Sequence, residues 1–374
     1  MEYRKVKLKE IANINMGQSP KGSSYNNQKM GMPFLQGNRT FGRIYPNIDT
    51  WTTEPNKIGK KNSILMSVRA PVGDLNIANQ NICIGRGLCS IEMKNKNNKY
   101  LYYLLINSIN EIKRKSTGTV FDSINRKELE EIEVLDFDEK QQNKIVNILF
   151  SIDQKIELNN QINDNLYELS YNLYEDFQQQ LNSTKTKEFS KFKELGELVM
   201  GQSPKGESYN LNMVGLPLIN GAADYENGYL KAQKYTSMPT KICNNGDLIF
   251  CIRATIGLLV VSNSQYCLGR GVAGIINTND IYKEYVYHII NSSINEFKRL
   301  ATGSVIVGIS RDDIGKLKVF EPSREQIKIF HAMQKPIFDK IENIRLENRN
   351  LVQLRDILLP KLMNGEIGLD KIKI

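Results

Sequence analysis

Apolar and polar positions alternate between two regimes along the chain, and each regime occurs twice. In residues 1–137 and again in 186–321, short apolar runs are bounded by Gly, Asn and Pro. Ser63 to Val68 (SILMSV) and Asp247 to Ile252 (DLIFCI) are the clearest cases. Runs of this length with such boundaries predict buried strands. The stretches Tyr100 to Lys115 and Lys283 to Leu300 predict helices, because each ends in basic residues ahead of a Thr-Gly pair, a pattern suited to a helix C-terminus. Both regions therefore predict globular α+β domains.

The second regime is helical and occupies residues 138–185 and 322–374. Asp138 with Gln141, and Ser323 with Gln326, have the spacing of capping boxes. After the first box, Ile145, Ile152, Asn159, Leu166 and Leu173 recur every seven residues, with Ile148, Ile156, Ile162, Leu169 and Phe177 beside them. After the second, Ile337, Ile344, Leu351 and Leu358 repeat the spacing, with Ile341, Leu354 and Leu362 adjacent. Heptads sustained this long predict coiled-coil seams. Pro336 predicts a break between the second seam and a shorter helix before it. Asn159 and Asn348 interrupt the seams; a buried asparagine fixes register at a cost in stability, and a solvated one does neither. The helices either pack on their own domains or pair with each other. Two similar seams favour an antiparallel pair roughly 50 Å long, at 1.5 Å rise per residue.

The duplication is also legible letter by letter. MGQSPKG at Met16 to Gly22 returns at Met200 to Gly206, an offset of 184. At that offset PFLQG (33–37) meets PLING (217–221), VRAPVG (68–73) meets IRATIG (252–257), and GRG (85–87) meets GRG (269–271). After one inserted residue, STGTV (116–120) meets ATGSV (301–305), and Asn125-Arg126 meets Ser310-Arg311. A two-unit internal repeat, rather than a solenoid, follows.

Charge adds a direction to this architecture. Fifty basic against 41 acidic residues leave +9, an excess that favours an anionic partner such as nucleic acid. No apolar stretch reaches the ~20 residues of a membrane span, and the N-terminal MEYRKVKLKE has no apolar block of the kind a secretory signal needs. Cys83, Cys89, Cys243, Cys251 and Cys267 form no C-x-x-C pair and have only His288 and His331 for company. They predict reduced, buried thiols of a cytoplasmic protein and no metal site. Catalytic motifs are missing as well: there is no phosphate-binding G-x-x-x-x-G-K-[ST], no G-x-S-x-G elbow, and no amino-methyltransferase tetrapeptide. Gly-Arg-Gly lacks the third glycine of a nucleotide loop and predicts a tight turn. Glu128, Glu130 and Glu131 predict a solvated helix face. A basic chain with two similar domains on a helical spacer suits a reader of two half-sites. A coiled-coil scaffold with protein-binding ends, or a nuclease with dispersed carboxylates, fits the composition too.

The order GQSPKG, PFLQG, SVRAPVG, STGT and the closing KLMNGEI (361–367), given over nearly the full length, resembles the specificity subunits of type I restriction–modification systems. That resemblance implies two target-recognition domains (1–137 and 186–321) and two helical regions (138–185 and 322–374) that dock methyltransferase subunits, two in number. It also implies restriction subunits as further partners, and an asymmetric bipartite double-stranded DNA target. A specificity chain of a different methylation-linked system is the neighbouring alternative. S-adenosylmethionine, ATP and Mg²⁺ would belong to the partner subunits, and this chain would be non-catalytic with no metal of its own.

On that basis Lys21 and Lys205 are candidates for phosphate contact, from a loop whose Gly, Ser and Pro expose backbone N–H groups. Arg69 and Arg253 are candidates for phosphate or base contact, with a structural salt bridge as the competing role. Thr117 and Thr302, with Arg126 and Arg311 shortly after, form a second candidate clamp. Bases are expected to be read where the copies differ: Gln36, Asn38 and Arg39 stand opposite Asn220, Ala222, Ala223 and Asp224. Arginine takes guanine bidentately, and asparagine or glutamine takes adenine. Arg86 and Arg270 are expected to be structural. For docking, the candidates are Ile152, Asn159, Leu166, Leu173, Ile344, Leu351 and Leu358.

Overall fold

Alternating inward apolar residues in the strands build the same two sheets twice. A computed structural model describes residues 3–116, 122–183, 189–191, 195–226, 228–276, 278–301 and 308–368. In the first copy an antiparallel sheet runs, in spatial order, Ala12–Met16, Leu88–Met93, Ile64–Ser67, Leu75–Ile77. A mixed five-stranded sheet runs Tyr25–Asn26, Trp51–Thr52, Met32–Leu35, Ile82–Ile84, Ile58–Gly59. The second copy repeats both orders, with Glu197–Met200, Val272–Ile276, Leu248–Cys251 and Gly257–Val261 in the first sheet. Registers keep the offset of 184: Cys89 pairs with Met16 as Ala273 pairs with Met200, and Phe34 pairs with Cys83 in parallel as Leu218 does with Cys267. The predicted runs SILMSV and DLIFCI are the central strands Ile64–Ser67 and Leu248–Cys251, buried throughout. A hairpin of Tyr225–Glu226 and Tyr229–Leu230 is described in the second copy.

The helix expected over Tyr100 to Lys115 is two helices, Asn98–Asn107 and Ile109–Lys115. They are divided at Ser108, which sits at φ −89°, ψ 1° and donates its hydroxyl to the Leu104 carbonyl, a bond that competes with the helical ladder. Its counterpart Lys283–Leu300 is unbroken. Two long helices, Glu139–Ser183 and Arg324–Met363, follow the capping boxes: Asp138 accepts from the Gln141 N–H, and the Ser323–Gln326 box forms in both directions. The break expected at Pro336 is absent. Pro336 and Ala332, whose carbonyl would have taken the missing N–H, are both exposed, so water can satisfy that carbonyl and the helix continues.

The chain divides into two compact units, Met1–Asn160 with Leu346–Ile374, and Gln161–Arg345. The boundaries differ from a division into contiguous segments, because each unit takes a globular part and a stretch of both long helices. Within each unit the helix stretches run antiparallel. In the first, Asp153 meets Arg355 and Asn159 meets Asn348; in the second, Ser170 meets Gln334 and Phe177 stacks on Phe330. Asn159 is 1% exposed and Asn348 9%, and their mutual hydrogen bond of 2.9 Å makes them buried register markers rather than solvated ones.

Each unit also carries a buried polar cluster between domain and helices, with different chemistry in the two. In the first, Tyr103 donates to buried Asp153 at 2.6 Å, and Arg355 reaches the same carboxylate at 3.0 Å. In the second, neutral groups do the work: His288 Nε2 lies 2.9 Å from the Ser170 hydroxyl, which donates to Gln334 at 2.6 Å. Burial pushes the His288 pKa down to about 4, against a smaller opposing effect of its hydrogen bond with Gln334. The closing KLMNGEI ends the second long helix at Gly365, φ +73°, and buries Leu362 and Met363 in the core of the first unit.

Candidate nucleic-acid interface

Glycines bring three separate motifs into one place in each unit. A Cβ on Gly17 would lie 2.1 Å from the Gly85 carbonyl oxygen, and one on Gly201 the same distance from that of Gly269. Only glycine allows the GQSPKG loop to lie on the Gly-Arg-Gly turn this closely. The loop is tied down by Gly17 N to Leu88 O and Gln18 N to Ile84 O, repeated as Gly201 N to Val272 O and Gln202 N to Leu268 O. The turn itself closes with Leu88 N to Gly85 O and Val272 N to Gly269 O. A Cβ on Gly87 or Gly271 would strike the backbone oxygen of Gln36 or Asn220, so the Pro-Phe-Leu-Gln-Gly segment and its counterpart pack on the other side. A fourth segment joins through Val68 N to Gly87 O and Ile252 N to Gly271 O. Isolated bridges then link Arg69 to Ser123 and Arg253 to Gly308.

This frame presents several of the expected residues and reassigns others. Lys21 and Lys205 are exposed beside buried Pro20 and Pro204, and each precedes a single 3-10 turn. Arg69 and Arg253 are exposed and make no salt bridge with any described residue. Gln36 accepts a hydrogen bond from Ser19 of the GQSPKG loop at 2.9 Å. Asn38 donates to Asp74 at 2.5 Å, and Arg39 pairs with Asp49 at 2.6 Å, a contact that holds the Asp49 carboxyl below its usual range. Arg126 pairs with Glu130 at 2.7 Å on its own short helix, and Arg311 donates to the Leu198 carbonyl at 3.0 Å. Both are exposed, and both also brace the fold. Thr117 and Thr302 lie outside the described residues.

Of the divergent positions, Asp224 is buried and accepts from the backbone N–H groups of Asn220, Gly221 and Gln233. It shapes the loop and is unavailable to a base. The Gly-Arg-Gly glycines are structural as expected; Arg86 and Arg270 are exposed, and Arg270 donates to Ser203 of the repeated loop at 3.1 Å. Asp74, also missed from sequence, stands in the same frame; reading its offset partner Leu258 beside it was the available signal. Glu128, Glu130 and Glu131 are not merely solvated, since they cap Asn125, pair with Arg126, and pair with Lys7 and Lys9.

Burial removes three of the helix candidates for docking. Ile152, Asn159 and Ile344 are buried within their own units, and Leu166, Leu173, Leu351 and Leu358 are half-buried. The three buried positions pack within this chain. All five cysteines are buried and unpaired, with burial pushing Cys89 and Cys243 up to about 12 and Cys251 to about 11, so these remain unreactive thiols. Among the described residues, no three His, Cys, Asp or Glu side chains gather as metal ligands. No described helix is long and apolar enough to cross a membrane.

The sequence profile of the type I restriction modification DNA specificity domain matches residues 1–168 and again 184–354. The chain belongs to that family. It carries two specificity domains, as the repeat implied, each holding one copy of the four-segment frame. The chain is 24% identical over 349 residues to the type I restriction enzyme MjaIX specificity subunit of Methanocaldococcus jannaschii, covering 84% of this chain and 80% of the relative. A specificity-subunit candidate of the same organism, MjaX, is 44% identical over 147 residues, but the match spans only 35% of its length and 39% of this chain. In fold, the chain is similar to the crystal structure of a type I restriction–modification S subunit from M. genitalium, with a TM-score of 0.62 at 16% identity over 97% of this chain and 96% of that one.

Proposed function

We propose that this chain is the sequence-reading subunit of a type I restriction–modification complex, with each specificity domain reading one half of an asymmetric, bipartite duplex target. The observation that supports this most is the duplicated frame. Its backbone bonds repeat at one offset, Arg69, Arg86, Arg253 and Arg270 are exposed on it, and the residues that differ between copies cluster beside them. Shared cations suit phosphates, which carry no sequence, and divergent side chains suit base edges, which do.

The chain acts by positioning and does no chemistry itself. Methyl transfer belongs to methyltransferase subunits that bring S-adenosylmethionine, and cleavage to restriction subunits that bring ATP and Mg²⁺, all acting in the cytoplasm. The long helices are the dock. Besides their buried seams they expose Leu158, Leu346, Leu354 and Ile357 in the first unit, and Ile162, Leu169, Ile329 and Met333 in the second, apolar surface that a partner would cover. Methylome sequencing of cells with and without this gene tests the proposal. A two-part methylated motif should be present only with the gene; an unchanged methylome would refute it.

A further inference from the structure

One pair of positions in the frame inverts its chemistry between the two domains. In the first, Asn38 donates its amide to the Asp74 carboxylate. The offset of 184 carries Asn38 to Ala222 and Asp74 to Leu258. The strand registers match on the far side of that position, where Ile64 pairs with Ile77 as Leu248 pairs with Val261, and in the second domain the pairing then shifts between Ile249 and Cys251, beside Leu258. A hydrogen-bonded polar pair in one domain is thus an apolar pair in the other. The neighbouring Arg39–Asp49 pair changes too, to Ala223 and Gln233.

Leu258 is an unusual residue to find there. It is 43% exposed and sits at φ +43°, a left-handed conformation that bulky side chains rarely adopt. Ala254, four residues earlier, is at φ +57°. An exposed leucine at the strained start of strand Gly257–Val261 adds little to the core, and strain of this kind concentrates where a ligand is met. Exposed Arg253 of the frame lies five residues earlier in the same segment. Phosphate offers nothing to a leucine and repels a carboxylate. On the major-groove edges, the apolar group is the thymine methyl, and a group suited to a carboxylate is the cytosine amino group.

We propose that these positions set one base pair in each half-site: Asp74, held by Asn38, accepts a hydrogen bond from a cytosine N4 amino group, and Leu258 with Ala222 covers a thymine C5 methyl. This rests on the recognition function proposed above. The full chain, assembled with its methyltransferase, is given its methylome-defined duplex with each thymine of the second half-site replaced in turn by deoxyuridine, which lacks only the methyl. One position is expected to lose about three- to fivefold in affinity, the effect of one buried methyl, and Leu258→Ala is expected to make that position indifferent. The double variant Ala222→Asn, Leu258→Asp transplants the first domain's pair, and aspartate tolerates a left-handed backbone better than leucine. Its methylome is expected to show a changed base in the second half and an unchanged first half. No deoxyuridine effect with the wild-type chain, or an unaltered motif from the double variant, overturns the inference while leaving the two-domain reader standing. If the double variant fails to assemble, the deoxyuridine series decides alone. Absence of any two-part motif would sink the recognition function and this inference together.

Discussion

Lys21 sits exposed on a turn whose neighbouring proline is buried, so its substitution should leave the loop in place and remove one cation. Lys21→Ala is expected to weaken binding to every DNA sequence alike and to reduce the salt dependence by about one counterion, read from affinities across a salt series. Arg39→Ala should behave otherwise. It is expected to relax preference at one position of the first half-site by about 1–3 kcal/mol, and a uniform loss over all sequences would reassign Arg39 to phosphate contact. His288 gives a residue-scale expectation of a different kind. Its folded pKa of about 4 lies below the ordinary histidine value of 6.5, so as pH falls through that window the unfolded chain takes up a proton that the folded one refuses. Stability is therefore lost as pH falls from 6.5 to 4. His288→Gln should flatten that slope in urea midpoints measured across the window; an identical slope would contradict the assignment.

At the scale of elements, the long helices separate two kinds of apolar residue that heptad spacing alone runs together. Spacing says which side chains share a face; it cannot say whether that face meets another helix of the same chain or a different protein. Ile152 and Ile344 proved buried at home, whereas Leu354, assigned by spacing to the seam, proved exposed. Leu354→Asp with Ile357→Asp is accordingly expected to abolish co-purification with the methyltransferase. Thermal unfolding should barely move, because surface changes typically stay within about 0.5 kcal/mol. Retained co-purification would place the dock elsewhere. Pro336 makes the same point about context. The ring was legible, but the exposure of the carbonyl it leaves unpaired was not.

At the scale of the whole molecule, the duplicated frame predicts modularity. Exchanging residues 186–321 for the matching domain of a relative should change one half of the methylated motif and leave the other intact, as read by methylome sequencing. A swap that altered both halves would mean that the domains do not read independently. The frame was partly legible in advance, because seven repeated letters and their followers marked its segments. That Asp224 is a buried loop anchor, and that Arg86 and Arg270 stand exposed, was not legible, since a loop residue's direction follows from contacts far away in sequence.

Taken alone, the sequence determined the repeat, the central strand of each copy, the capping-box residues and the paired heptads. Those features depend on neighbours within a few residues, or on identity between copies, both visible along a line. Tertiary structure decided how Gly17, Gln36, Gly87 and Arg69 come to one frame, which side chains on it stay free, and where the compact units divide. Each of those outcomes is set by backbone groups tens of residues apart meeting at hydrogen-bond distance, and no local pattern records which of them will meet.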